Sequence, residues 1–241
     1  MNATIKKYIE THYTFTTGEF TAMLRAVNPT MGRSTIYSIL NKLCQSGKLT
    51  RNGRGIYTSN VKTEYSYELS DTAQSISSSI KKEYPLVNFQ VWELYQMNEF
   101  VNHLISRNTI LIDVENNLDE TVFNFLFAKY PHVLHCPSEN EYYKYAGDET
   151  IVVQKLISEA PSCYGDHFQT PLEKILVDLF SHGIVGKIIG RSEYRAIYED
   201  SFRKYNINQP RLFRYARRRG AEQTIKDFIL AETNITLEGT K

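Results

Sequence analysis

The sequence is poor in cysteine. Its three, Cys44, Cys136 and Cys163, are odd in number and widely scattered, which excludes a disulfide framework and fits a reducing compartment. Long hydrophobic runs are missing too: none approaches the roughly 18–20 apolar residues of a membrane span. The opening MNATIKKYIETHY has no apolar core of the kind a secretory leader carries. A cytoplasmic protein with no membrane partner is therefore expected. No Walker loop, dinucleotide fingerprint or nucleophile elbow occurs, and GKIIG at 186–190 is too short for a phosphate loop. No internal repeat or low-complexity tract stands out. With these classes removed, neither an enzyme nor a cofactor is expected.

What is present is an ordinary globular composition. The 241 residues are 41% hydrophobic and 23% charged, enough for one large domain or two ordinary ones. The overall charge of +1 conceals a segregation. Residues 1–60 hold 8 Lys/Arg against 2 Asp/Glu, a net +6. Residues 61–180 carry a net −10, and residues 181–241 a net +5. A basic head on an acidic body points to separate tasks, with the head facing a polyanion.

Within the head, Ile5, Tyr8 and Ile9 fit a short amphipathic helix, and Thr14–Thr16 a brief strand. Thr17 is the expected N-cap of a helix carrying Phe20, Leu24 and Val27, ended by Asn28 and Pro29. Ile36, Ile39, Leu40 and Leu43 then form a stripe at i, i+3, i+4, i+7, and Gly47 stops that helix. Lys48 to Arg51 and Gly55 to Ser59 read as two strands, with Asn52-Gly53 expected to supply the positive φ angles of a tight hairpin. This order resembles a winged helix-turn-helix domain over residues 1–60. The resemblance implies a third helix in the DNA major groove and a hairpin on the adjacent backbone. Carried onto this chain, it assigns Thr30, Arg33, Ser34, Thr35, Tyr37 and Ser38 to base and phosphate contact and Lys42 and Lys48 to the backbone. Arg51, Asn52 and Arg54 take the hairpin tip.

The expected fold class is α/β (α+β overall), a winged helix-turn-helix at 1–60, a connection at 61–84, and an α/β domain at 85–241 with a mainly parallel sheet and C-terminal helices. Tyr65 and Tyr67 suggest a further strand. The Ser-rich stretch after them fits either a linker or a short helix capped by Ser70 or Asp71 and carrying Ile76 and Ile80. Residues 89–94, 109–115, 132–136 and 150–157 read as strands. They alternate with helices at WELYQMNEFVNHLIS and LDETVFNFLFAKYP. Farther on, Thr170 is expected to cap a helix with Pro171 first and Glu173 closing a capping box. Helices over Ser192–Lys204 and Pro210–Arg219 follow, the latter extended by Ala221–Glu232.

Candidate chemistry in the body is thin. Asp113 and Glu115 stand two apart on a predicted strand, so both carboxylates face one way. Such a pair can hold the divalent metal of a nuclease or nucleotidyltransferase, which makes that the alternative function. It fits equally a strand end turning to solvent, and neither the Gly-Ser turn nor the acid-x-Lys that those enzymes add is present. His132, His135 and Cys136 are metal-ligand types, but alternation on a strand sends His132 and His135 to opposite faces. Cys163 and His167 read as isolated in a loop. No metal site is expected. In RLFRYARRRG, helical spacing puts Arg211, Arg214, Tyr215 and Arg218 on one face, with Leu212 and Tyr215 or Ala216 toward the core; the arginines suit an acidic protein, a nucleic-acid backbone or compensation of the acidic body.

The whole chain, through its N-terminal module, PLEKILVDL and YNINQPRLFRYARRRG, resembles the AbiE-type antitoxin and transcriptional-regulator family of type IV toxin–antitoxin systems. That resemblance implies a bacterial autorepressor that binds double-stranded DNA at its own promoter. It also implies that the protein counteracts a nucleotidyltransferase-like toxin, with no catalytic residues of its own. A homodimer is compatible with such a repressor.

Overall fold

The computed structural model describes residues 3–115, 117–162 and 169–237. The chain is a mixed α/β protein with a sheet and C-terminal helices. It divides into two compact units.

The first unit runs to Glu64 and includes Arg203–Asn206. It holds α1 (Ala3–Thr11), β1 (Thr14–Thr16), α2 (Thr17–Val27), α3 (Arg33–Gln45), β2 (Leu49–Gly53) and β3 (Ile56–Ser59). The three strands form one antiparallel sheet in the order β1-β3-β2. Its core joins Ile5 and Ile9 of α1, Phe20 and Leu24 of α2, and Ile36, Leu40 and Leu43 of α3 to Phe15, Leu49 and Tyr57 of the sheet. The cap of α2 is Thr16, one residue before the expected Thr17. Thr16 Oγ1 accepts from Glu19 N, and the Glu19 carboxylate accepts from Thr16 N at 2.7 Å. Thr17 is spent elsewhere, its N–H and hydroxyl both donating to Gly55 O. Gly47 does end α3, with φ 71°. The hairpin turn, however, falls at Arg54-Gly55, where Gly55 takes φ 76°. Asn52 sits instead at a break in the strand register, and its amide donates to Thr58 Oγ1 at 2.6 Å.

The second unit begins at Tyr65. Tyr65 and Tyr67 lie outside any strand. Residues 71–83 form α4 (Asp71–Glu83), capped by Ser70, with Ile76 and Ile80 fully buried. A four-stranded sheet follows in the order β4-β5-β7-β6, made of β4 (Phe89–Glu93), β5 (Asn108–Val114), β6 (Val133–His135) and β7 (Glu149–Lys155). β5, β7 and β6 are parallel, as the alternation with α5 (Asp119–Phe127) and α6 (Glu139–Tyr145) requires. β4 is antiparallel to β5. The helix expected between those two shrinks to a 3-10 turn, Leu94–Glu99, too short for a crossover. Glu93, at the end of β4, is buried, and its carboxylate accepts from Ser70 N, Ser70 Oγ and Asn108 Nδ2.

The remaining helices are α7 (Leu172–Ser181), α8 (Gly183–Ile189), α9 (Tyr194–Lys204), α10 (Gln209–Arg218) and α11 (Glu222–Glu232). α7 has no side-chain cap. Pro171 takes the N-cap position, and Thr170 is buried without a hydrogen bond from its hydroxyl. Gly220 at φ 69° separates α10 from α11, so the expected continuous helix is two.

Candidate nucleic-acid interface

α3 is built with two unlike faces. Ile36, Leu40 and Leu43 are buried, and Ile39 is half-buried. Arg33, Ser34, Thr35, Tyr37, Ser38 and Lys42 are all exposed, Tyr37 by 50%. Asn41, which the sequence reading passed over, lies on the same face one turn beyond Tyr37 and Ser38; its spacing alone was enough to find it. Thr30 precedes the helix, and its hydroxyl donates to Asn28 Oδ1. Gly32 stands at the N-cap without a side-chain bond, which leaves the first amides of α3 open.

α3 leads through Gly47 into the hairpin, with Lys48 N bonded to Leu43 O. Lys48 is half-buried. Arg51 and Arg54 are exposed, and Arg51 Nε donates to Gly53 O at 3.2 Å, which angles that guanidinium along the hairpin. Asn52 is exposed, and one of its amide protons is held by Thr58 Oγ1. Neither α3 nor the two hairpin strands contain a carboxylate. The side chains of Arg33, Lys42 and Arg54 make no hydrogen bond or ion pair among the described residues. The helix and the turn after it thus present hydroxyls, an amide, a phenol and cations, and neither α3 nor the hairpin strands supply a carboxylate to them.

In the second unit, Asp113 is not at a solvated strand end. It is 2% exposed, and both of its carboxylate oxygens are taken. Oδ2 lies 2.6 Å from Lys174 Nζ, and Oδ1 accepts from Gln154 Nε2 at 2.6 Å. Lys174 also reaches Asp178 Oδ2 at 2.6 Å. Tyr215 donates to Asp178 Oδ1 at 3.1 Å, and Arg219 stands 3.9 Å from it. Since Gln154 Oε1 can only accept, His182 Nε2 carries a proton toward it at 2.6 Å. Burial opposes the Lys174 charge, but the two carboxylates outweigh it and hold the ammonium above its ordinary value. Burial also keeps His182 below its ordinary value, against the pull of Asp178 and Asp113. Glu115 lies past the end of β5 and accepts from Asn88 N. The expected pair of like-facing carboxylates is therefore not formed: one is sealed by a lysine and the other bonds a loop amide. The sequence carries no sign of this network, because Lys174 and Asp178 look like the solvated side of an amphipathic helix.

The C-terminal arginines divide. Tyr215 does not share their face; it is buried with Leu212 and Ala216. Arg211 donates to Ser162 O and Arg218 to Ser158 Oγ, while Arg214 is exposed. Arg217 pairs with Glu222, which Arg217 and Lys226 together hold at about 2. A cavity of about 470 Å³ is lined in part by Leu104, Arg107, Tyr142, Tyr143, Ile188 and Glu193.

Potential metal donors converge at one place among the described residues. Asp119, His135 and Cys136 bring one oxygen, one nitrogen and one sulfur within 4.8 Å of one another. His132 is not in this group. Cys163 and His167 lie outside the described residues. No helix among the described residues is long and apolar enough to cross a membrane.

Comparison with curated proteins finds none that matches. Residues 35–235, from the first turn of α3 to beyond α11, match a family of unknown function, and the chain belongs to that family, DUF6577.

Proposed function

We propose that the chain is a DNA-binding transcriptional regulator whose first unit acts as a winged helix-turn-helix. The observation that carries this is the exposed face of α3: cations and hydroxyls without a carboxylate, continued by Arg51 and Arg54 at the hairpin. α3 has 13 residues, so it is about 20 Å long and can lie in a major groove. In this reading Arg33 meets a guanine edge, Ser34, Thr35, Tyr37, Ser38 and Asn41 meet bases or phosphates, and Lys42, Arg51 and Arg54 neutralise backbone. The open N-terminus of α3 adds amides suited to a phosphate oxygen. The site is the duplex upstream of the protein's own gene, in the cytoplasm, bound without a cofactor, and a homodimer is compatible with this reading.

The antitoxin role rests on the family resemblance. It assigns the second unit to counteracting a toxin protein, with Arg211, Arg214 and Arg218 as the partner face. Of the three, Arg214 is the freest, since Arg211 and Arg218 bond Ser162 and Ser158.

Fluorescence anisotropy with a labelled duplex from upstream of the gene tests the DNA-binding reading. The expected result is salt-sensitive binding, with Arg33→Ala lowering affinity for that duplex by about 10-fold or more and affinity for unrelated duplex far less. Absence of binding at low salt would overturn it and favour a first unit that binds protein.

A further inference from the structure

We propose that Asp119, His135 and Cys136 form a binding site for one late first-row transition dication, Zn²⁺ foremost, with one coordination position left to water. Adjacent residues on a strand point to opposite faces, so His135 and Cys136 should not meet. They do because β6 ends at His135 and Cys136 turns into the left-handed region, φ 42°, while its amide still bonds Val153 O at 2.9 Å. The turn brings the thiol to the imidazole. α5 delivers the third donor from its first residue, Asp119, which is 3% exposed and bonds His135 Nε2 through Oδ2 at 2.8 Å. Phe123, one turn along α5, packs against the His135 ring with the ring centres 5.2 Å apart.

The donor chemistry selects the ion. Thiolate with imidazole and carboxylate suits zinc or cobalt and disfavours magnesium and calcium, which take oxygen. Metal–ligand bonds of about 2.0–2.3 Å place tetrahedral donors about 3.3–3.8 Å apart. The present spread, at most 4.8 Å, closes to that with rotation of two side chains. Cys136 is exposed and His135 half-exposed, so both can move. The ion would replace the Asp119–His135 hydrogen bond and tie the start of α5 to the end of β6.

The full-length chain, stripped with a chelator, would be titrated with Co²⁺ as a spectroscopic probe. The expected result is one cobalt per chain, with a thiolate-to-cobalt charge-transfer band and the visible bands of a tetrahedral ion. Cys136→Ser should abolish the charge-transfer band, and His135→Gln should weaken binding. Cys44→Ser with Cys163→Ser should leave the band intact. Zinc should displace the cobalt and raise the melting temperature of the wild type but not of Cys136→Ser. Cys136 is exposed, so its substitution does not threaten folding. No band, or a band that survives Cys136→Ser, overturns the proposal.

Discussion

Replacing Lys174 with methionine isolates what the buried charge cluster does. The substitution nearly preserves volume, so packing changes little. Asp178 keeps the Tyr215 hydroxyl at 3.1 Å and Arg219 at 3.9 Å. Asp113 keeps only the Gln154 amide, in a site where it is 2% exposed. The loss therefore concentrates on Asp113, a buried carboxylate without a cation. Removing one partner of a buried pair costs about 3–5 kcal/mol, which for a chain of this length lowers the melting temperature by roughly 6–20 °C. Trp92, the chain's one tryptophan, is fully buried beside β5 and reports unfolding of the second unit in urea. Adding Asp113→Asn removes the orphaned charge and should recover at least half of the loss. If Lys174→Met alone costs under about 1 kcal/mol, or the double variant recovers nothing, the carboxylate is not the stranded charge described here.

Further outcomes follow from other parts of the fold. Thr16→Ala should cost the first unit about 1 kcal/mol, read as an earlier melt by circular dichroism, whereas Thr17→Ala removes only its bond to Gly55 and should cost less; equal effects would return the cap to Thr17. His182 is held neutral, mainly by burial, so the unfolded chain binds its proton first. Stability of the second unit should fall as pH drops below about 6.5, and His182→Gln should flatten that fall in urea melts followed at Trp92. An unchanged slope in the variant would assign the pH dependence to another group. Glu222 is held at about 2 by Arg217 and Lys226, so its small contribution is present above about 4.3 and lost toward pH 2; Glu222→Gln should remove that acid-side loss.

The parallel part of the sheet was legible because TILIDV and TIVV are continuous apolar runs, which only a strand covered on both faces tolerates. The stripe of α3 was legible because a surface helix must bury one side and wet the other. Where that condition fails, so does the reading. α7 is buried from Leu172 to Leu179, so its Lys and Asp, outward by periodicity, found each other inside. β4 was legible as a strand, but its antiparallel pairing was hidden because WELYQMNEFVNHLIS reads as a crossover helix, where the chain makes only the turn Leu94–Glu99. The hairpin turn moved from Asn52-Gly53 to Arg54-Gly55 because two glycines flank one arginine, and either can take the positive φ. The convergence of His135 with Cys136 depends on a single backbone angle, which alternation rules cannot see.

In the proposed function, the α3 face and hairpin neutralise DNA phosphates. The most direct test is the affinity of the full chain for its upstream duplex, measured across a range of salt concentrations, for the wild type and for Arg51→Ala with Arg54→Ala. With Lys42, Arg51 and Arg54 on phosphates, the wild-type slope of log affinity against log salt should be about −3 or steeper, and the variant should lose about 2 from it. A wild-type affinity indifferent to salt, or a variant slope identical to the wild type, would contradict the account.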